Sequence, residues 1–110
     1  MKTKNKAKNG LAKNQYADGS LESQGKMKDG KREGIWKFYL RNGVLRATGK
    51  FANGKCEGKW TWRRENGGLL QVGTFVKGVQ EDTWKRYTKQ GKLYDTRKFE
   101  KGKVKEAKKI

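Results

Sequence analysis

The stretch from Gly34 to Gly58, GIWKFYLRNGVLRATGKFANGKCEG, decides the fold because its pattern recurs at a fixed offset of 24 residues. Trp36, Trp60 and Trp84 stand in register, as do Leu45, Leu69 and Leu93, and Phe51, Phe75 and Phe99; Tyr39, Arg63 and Tyr87 form a further column. A period this regular marks a repeat protein. One step back, the offset lands on Gly19, Leu21, Gly25, Met27, Gly30 and Gly34, a further unit in which Ala12 stands where the tryptophan is expected. The chain reads as about four copies of one unit.

The turns are written into the same pattern. Gly19, Gly30, Gly43, Gly54, Gly67, Gly78, Gly91 and Gly102 close short polar clusters, with gaps that alternate between 11 and 13 residues. Several clusters read Asn-Gly or Asp-Gly, as at Asn42-Gly43, Asn53-Gly54 and Asp29-Gly30, where positive φ is cheap and hairpins are favoured. The segments between them, roughly eight residues each, have the length of strands and are too short for helices. The chain has no proline, which suits an unbroken ladder of backbone hydrogen bonds.

Alternation then sorts the two faces of each strand. Trp36, Phe38 and Leu40 share one face with Leu45, Ala47, Gly49 and Phe51, so the expected core is Trp36, Leu45, Phe51, Trp60, Leu69, Phe75, Trp84, Leu93 and Phe99. Gly25, Gly49 and Gly73 fall in mid-strand, where glycine weakens a strand unless a large neighbour covers the gap; a tryptophan ring from the adjacent strand is predicted over each. Arg97 interrupts that column, as expected of a terminal repeat. The predicted architecture is all-β: an antiparallel meander of about seven strands in a single twisted sheet, each strand beside its sequence neighbour. The predicted repeat domain spans residues 14–102, flanked by a basic disordered tail at 1–13 and a Lys-rich tail at 103–110.

Composition narrows the function. Of the 110 residues, 36% are charged and only 32% hydrophobic, and the formal net charge is +18. Half of that excess lies in residues 1–13 and 101–110. A balance of this kind favours an acidic or polyanionic partner through field alone. There is no His and a single cysteine, Cys56, so neither an intrachain disulfide nor a zinc cluster is expected. No apolar run approaches the length of a membrane span, and the N-terminus MKTKNKAKNGLAKN lacks the apolar centre of a signal peptide. The expected location is cytoplasmic, or secreted or periplasmic if a leader preceded the chain.

The run from Glu33 to Gly58 resembles the MORN repeat variant, with Gly34, Trp36, Tyr39, Gly43, Leu45, Gly49, Phe51, Gly54 and Gly58 filling its pattern. The resemblance covers roughly residues 14 to 106. Asp82 and Glu106 replace the closing glycine, Arg63 replaces the tyrosine and Ala12 the first tryptophan. The resemblance implies a β-hairpin array without catalytic residues. It further implies a role as the antitoxin component of a toxin–antitoxin system, as a protein scaffold, or at membrane lipids.

Little else in the chain carries chemistry. GKFANGKC, residues 49–56, and GKMKDGKR, residues 25–32, match the phosphate-loop spacing, but both glycines of each are repeat positions and no helix follows to supply backbone amides. Cys56 has no His or second Cys to activate it and reads as a turn-flanking residue equivalent to Arg32, Gln80 and Val104. Glu33, Glu57, Glu65 and Glu81 lie near turns, as solvated charge-balancing residues do. An enzyme is not expected, nor any cofactor, metal or small-molecule substrate. The candidate binding surface is the sheet face opposite the core, carrying Lys37, Tyr39, Arg46, Lys50, Arg63, Lys85, Tyr87, Tyr94 and Lys98. Cations interleaved with tyrosines on a sheet dock an acidic protein, the expected partner, or else stack on bases and neutralise the phosphates of nucleic acid or an acidic lipid surface.

Overall fold

The computed structural model describes residues 8–110. They form one antiparallel meander of nine strands, each hydrogen-bonded only to its sequence neighbours. The strands are β1 (Gly10–Gln15), β2 (Leu21–Lys28), β3 (Lys31–Tyr39), β4 (Leu45–Ala52), β5 (Lys55–Arg63), β6 (Leu69–Val76), β7 (Val79–Tyr87), β8 (Leu93–Glu100) and β9 (Lys103–Lys109). No helix among the described residues is long and apolar enough to cross a membrane.

Two hairpin types alternate, which explains the alternating glycine gaps. After β2, β4, β6 and β8 the chain reverses in two residues, Asp29-Gly30, Asn53-Gly54, Lys77-Gly78 and Lys101-Gly102. Both members of each pair have positive φ, 53° and 81° at Asn53-Gly54 for example, the geometry whose twist matches that of the strands it joins. The other hairpins are longer, and each has a positive-φ glycine: Gly19, Gly43, Gly67 or Gly91. There a side chain two residues earlier fixes the corner, as when Asn42 Oδ1 accepts from the Val44 amide at 3.0 Å.

The strand count is nine instead of the expected seven because the ladder continues past both expected boundaries. At the start, Ala12 pairs with Gly25 and Asn14 with Ser23, so residues 10–13 follow the repeat register. Residues 1–7 of the expected N-terminal tail lie outside the described residues. At the other end, Phe99 pairs with Val104 and Lys98 with Glu106. The seven residues of β9 are all exposed, which lets an edge strand hold its backbone pairing while its lysines stay in water.

The core lies on one face of this single sheet. Trp36, Trp60 and Trp84 are 1%, 4% and 5% exposed, and each ring lies flat over the glycine of the preceding strand. A Cβ added at Gly25, Gly49 or Gly73 would fall within the rings of Trp36, Trp60 and Trp84 respectively. Each indole N–H donates to the carbonyl of the residue after that glycine, at 2.8 Å to Lys26, 3.0 Å to Lys50 and 3.2 Å to Thr74. Edge-to-face contacts with phenylalanine tie the rings together, Phe51 to Trp60 at 5.2 Å and Phe75 to Trp84 at 5.1 Å between centroids. Phe51 and Phe99 are also buried, whereas Leu45, Leu69, Phe75 and Leu93 are half-buried. The three leucines sit at the strand starts beside the longer turns.

Successive repeats are clipped together at their two-residue turns. Glu33, Glu57 and Glu81 each accept a hydrogen bond from a turn amide 20 residues later, at Asn53, Lys77 and Lys101. Asn9 does the same for Asp29. Alongside, the turn glycine amide donates to a backbone carbonyl of the previous repeat, as from Gly54 to Arg32 at 3.0 Å. Glu33, Glu57 and Glu81, expected to be merely solvated, therefore stitch one hairpin to the next.

Candidate functional site

The face opposite the tryptophans is built by strand alternation. Lys37 lies directly across from Thr48, Lys50 across from Ile35, Lys85 across from Thr96 and Lys98 across from Thr83. Lys37, Arg46, Lys50, Arg63, Lys85 and Lys98 are all exposed. Lys37 and Lys85 are equivalent positions four strands apart with Thr61 between them, as are Lys50 and Lys98 with Thr74 between them, so equivalent cations stand about 20 Å apart. Ile35, 59% exposed, stands among them as an apolar element.

The tyrosines are less free than the lysines. Tyr39, Tyr87 and Tyr94 are half-buried. The Tyr39 hydroxyl accepts from Gln24 Nε2 at 3.2 Å, and its backbone carbonyl accepts from the Tyr16 hydroxyl. The Tyr87 carbonyl is held in the same way by Arg64, at 2.8 Å. Tyr94, expected on this face, is the extra residue at the irregularity between β7 and β8, and its ring lies 5.3 Å from the guanidinium of Arg86, which belongs to the aromatic face. The Tyr39 ring is therefore a fixed feature of the surface, which lowers the entropy lost when a partner packs on it.

The aromatic face carries three features that alternation alone does not reveal. First, the column of Arg32, Cys56 and Gln80, read from sequence as turn-flanking, points onto this face. Arg32 holds its guanidinium 4.8 Å over the Trp36 ring, with Phe38 and Phe51 at 5.6 and 5.4 Å. Cys56 pairs with Phe51 and packs on the cluster, and burial pushes its thiol pKa up, which keeps it protonated and inert. Second, the face turns polar at its ends. Asn14 donates to Ser23 Oγ at 3.1 Å near β1. Near β9, Arg86 makes a two-pronged ion pair with Asp95, which is 4% exposed. These two hydrogen bonds from Arg86 hold the Asp95 carboxyl below the usual carboxylate range. Third, a groove of about 500 Å³ opens over β1 to β3 beside Ala12, Met27, Arg32 and Trp36. Asn14 and Met27 line it where the next repeat has Phe38 and Phe51.

No group of three or more His, Cys, Asp or Glu side chains converges among the described residues. A protein-family model described as the MORN repeat variant matches residues 32–53, the segment that runs from Arg32 through the two strands β3 and β4 to the Asn53 turn. No curated protein matches the chain. MORN repeats are in general binding rather than catalytic units, and the segment 32–53 is similar to one of them.

Proposed function

We propose that this protein recognises an acidic protein partner through the basic, tyrosine-bearing face of its sheet. The observation that supports the reading most directly is the set of exposed cations Lys37, Arg46, Lys50, Arg63, Lys85 and Lys98, with Tyr39 held in place by Gln24. Exposed cations steer an acidic partner and set register, while ordered rings supply contact area at low entropic cost. A pairing of antitoxin or immunity type, which the family resemblance implies, has this form. The overall charge of +18 supports a second reading, attachment to nucleic acid or an acidic lipid surface by charge alone.

Affinity capture from the native host, with and without nuclease, separates the two. A single protein retained after nuclease, whose binding is lost in the Lys37→Glu/Lys85→Glu double variant, supports the protein reading. Binding that disappears with nuclease, or that falls steeply with added salt on random RNA and on acidic vesicles, replaces it with the polyanion reading.

A further inference from the structure

We infer that the basic face docks its acidic partner at one end, over β1 to β4, where Leu11 and Ile35 receive an apolar side chain flanked by carboxylates. The inference rests on the reading of the partner as an acidic protein and names the part of the face that holds it. Leu11 and Ile35 are equivalent residues of successive repeats, and they are 79% and 59% exposed. Lys59 and Thr83 hold the same column further on, so the column is aliphatic at the β1 end and polar beyond it. Leu11 pairs with Lys26 and Ile35 with Lys50, whereas Ala12 pairs with Gly25 and Gly25 with Trp36. Both aliphatic side chains therefore stand on the face away from the tryptophans.

The two residues lie about 10 Å apart with one strand between them. On that strand Gly25 gives its side-chain space to the Trp36 ring on the other face, so the gap stays open. A depression of about 330 Å³ results, lined by Leu11, Lys13, Gln24, Ile35 and Lys37. Lys13, Lys26, Lys37 and Lys50, all exposed, stand around it. Glu33, which pairs with Lys26, is engaged by the Asn53 amide. Two aliphatic walls give an apolar side chain a place to leave water, and the surrounding cations select carboxylates beside it. A second copy of the chain carries the same charge of +18 and is repelled. Lysine side chains outreach leucine and isoleucine, so a flat lipid surface meets the ammonium groups first, whereas a side chain projecting from a protein passes between them.

The test pans a random dodecapeptide library displayed on phage against the full chain at physiological salt, with counter-selection on Leu11→Thr/Ile35→Thr. Threonine already holds this column at Thr83 and suits a strand, so the variant is expected to keep the parent melting temperature. Enriched peptides are expected to carry a large apolar residue beside Asp or Glu. They should bind the parent about tenfold or more tightly than the threonine variant, the loss that follows when aliphatic side chains leave an interface. Lys37→Glu is expected to weaken the same peptides, and Lys85→Glu, about 20 Å away, to leave them nearly unchanged. No enrichment over the variant, enriched peptides without an apolar residue, or equal losses for Lys37→Glu and Lys85→Glu overturns the inference. So does self-association, or binding to phosphatidylserine vesicles, that the threonine variant abolishes, because either gives Leu11 and Ile35 another occupant. The sheet-face reading fails separately. If a folded threonine variant binds acidic peptides as the parent does while Lys37→Glu/Lys85→Glu weakens them, the depression falls and the sheet-face reading stands; if neither change matters, both fall.

Discussion

A tryptophan lying on a glycine is the smallest unit that explains this protein. Trp60 covers Gly49, donates to Lys50 and touches Phe38, Phe51, Trp62 and Phe75. A single sheet has no second layer, and the ring itself plays that part. Trp60→Ala is expected to cost on the order of 3 kcal/mol by urea unfolding, and a near-neutral effect would contradict the one-faced core. Gly49→Ala places a methyl inside the same ring and is expected to cost about 1–3 kcal/mol. The two effects must not add: with Trp60 already truncated, Gly49→Ala meets open space, so a double-mutant cycle should show coupling of about 1 kcal/mol or more. Glycines at the turns behave differently. A Cβ at Gly54 meets only Lys31 carbons at 3.6 Å or beyond, ordinary contact, but its φ is 81°. There Gly54→Val should lose more than about 1 kcal/mol and Gly54→Asn less, because only the backbone conformation is at issue.

At the level of the element, stability passes from hairpin to hairpin through the turn clips. Glu57 Oε1 accepts the Lys77 amide at 2.8 Å, and Lys77 has a φ of 51° where Asn or Asp suits a two-residue turn better. Lys77→Asn is accordingly expected to stabilise by up to about 1 kcal/mol. Glu57→Gln should be nearly silent, since the amide oxygen still accepts, whereas Glu57→Leu should cost about 0.5–1.5 kcal/mol in thermal or urea unfolding. The hairpins and the covered glycines were legible in the sequence because each is enforced at short range, by Asn-Gly pairs and by period-two alternation. The clips were not, because a glutamate beside a turn looks the same whether it faces water or reaches an amide 20 residues on. The end strands were hidden for a related reason. Ala12 and the lysines of β9 lack apolar signal, yet backbone pairing with an existing ladder holds them, and an edge strand has no need of a hydrophobic face. Alternation gives the exposure of Lys37, Lys50, Lys85 and Lys98 but fails at the bulge that turns Tyr94 onto Arg86, and the Arg32 contact with Trp36 was hidden because its column changes from Arg to Cys to Gln to Val between repeats.

Taken as a whole, the molecule is one elongated sheet, 51 × 31 × 19 Å, whose aromatic layer must stop somewhere. At the β9 end it stops on a charge pair: Arg86 and Asp95 occupy positions that earlier repeats give to Phe38 with Ala47 and Trp62 with Gln71. The pair makes stability depend on pH in a defined direction. Because the folded pKa of Asp95 lies below its ordinary value, the unfolded chain takes up the proton first, and the contribution of Asp95 is present above about pH 4 and lost as pH falls through the folded value. Acid also removes the other carboxylate charges and leaves 29 lysines and arginines to repel one another, so acid unfolding alone does not identify the pair. Asp95→Asn does. The gap in urea midpoint between the parent and this variant should be open at neutral pH and close below about pH 4, where a protonated aspartate and an asparagine offer Arg86 nearly the same partner. Added salt weakens the general repulsion in both proteins and should leave most of the gap in place, because a two-pronged contact to a buried carboxylate is screened less than separated surface charges are. A gap that is constant across the titration, or one that salt erases, would show that the array ends on packing alone.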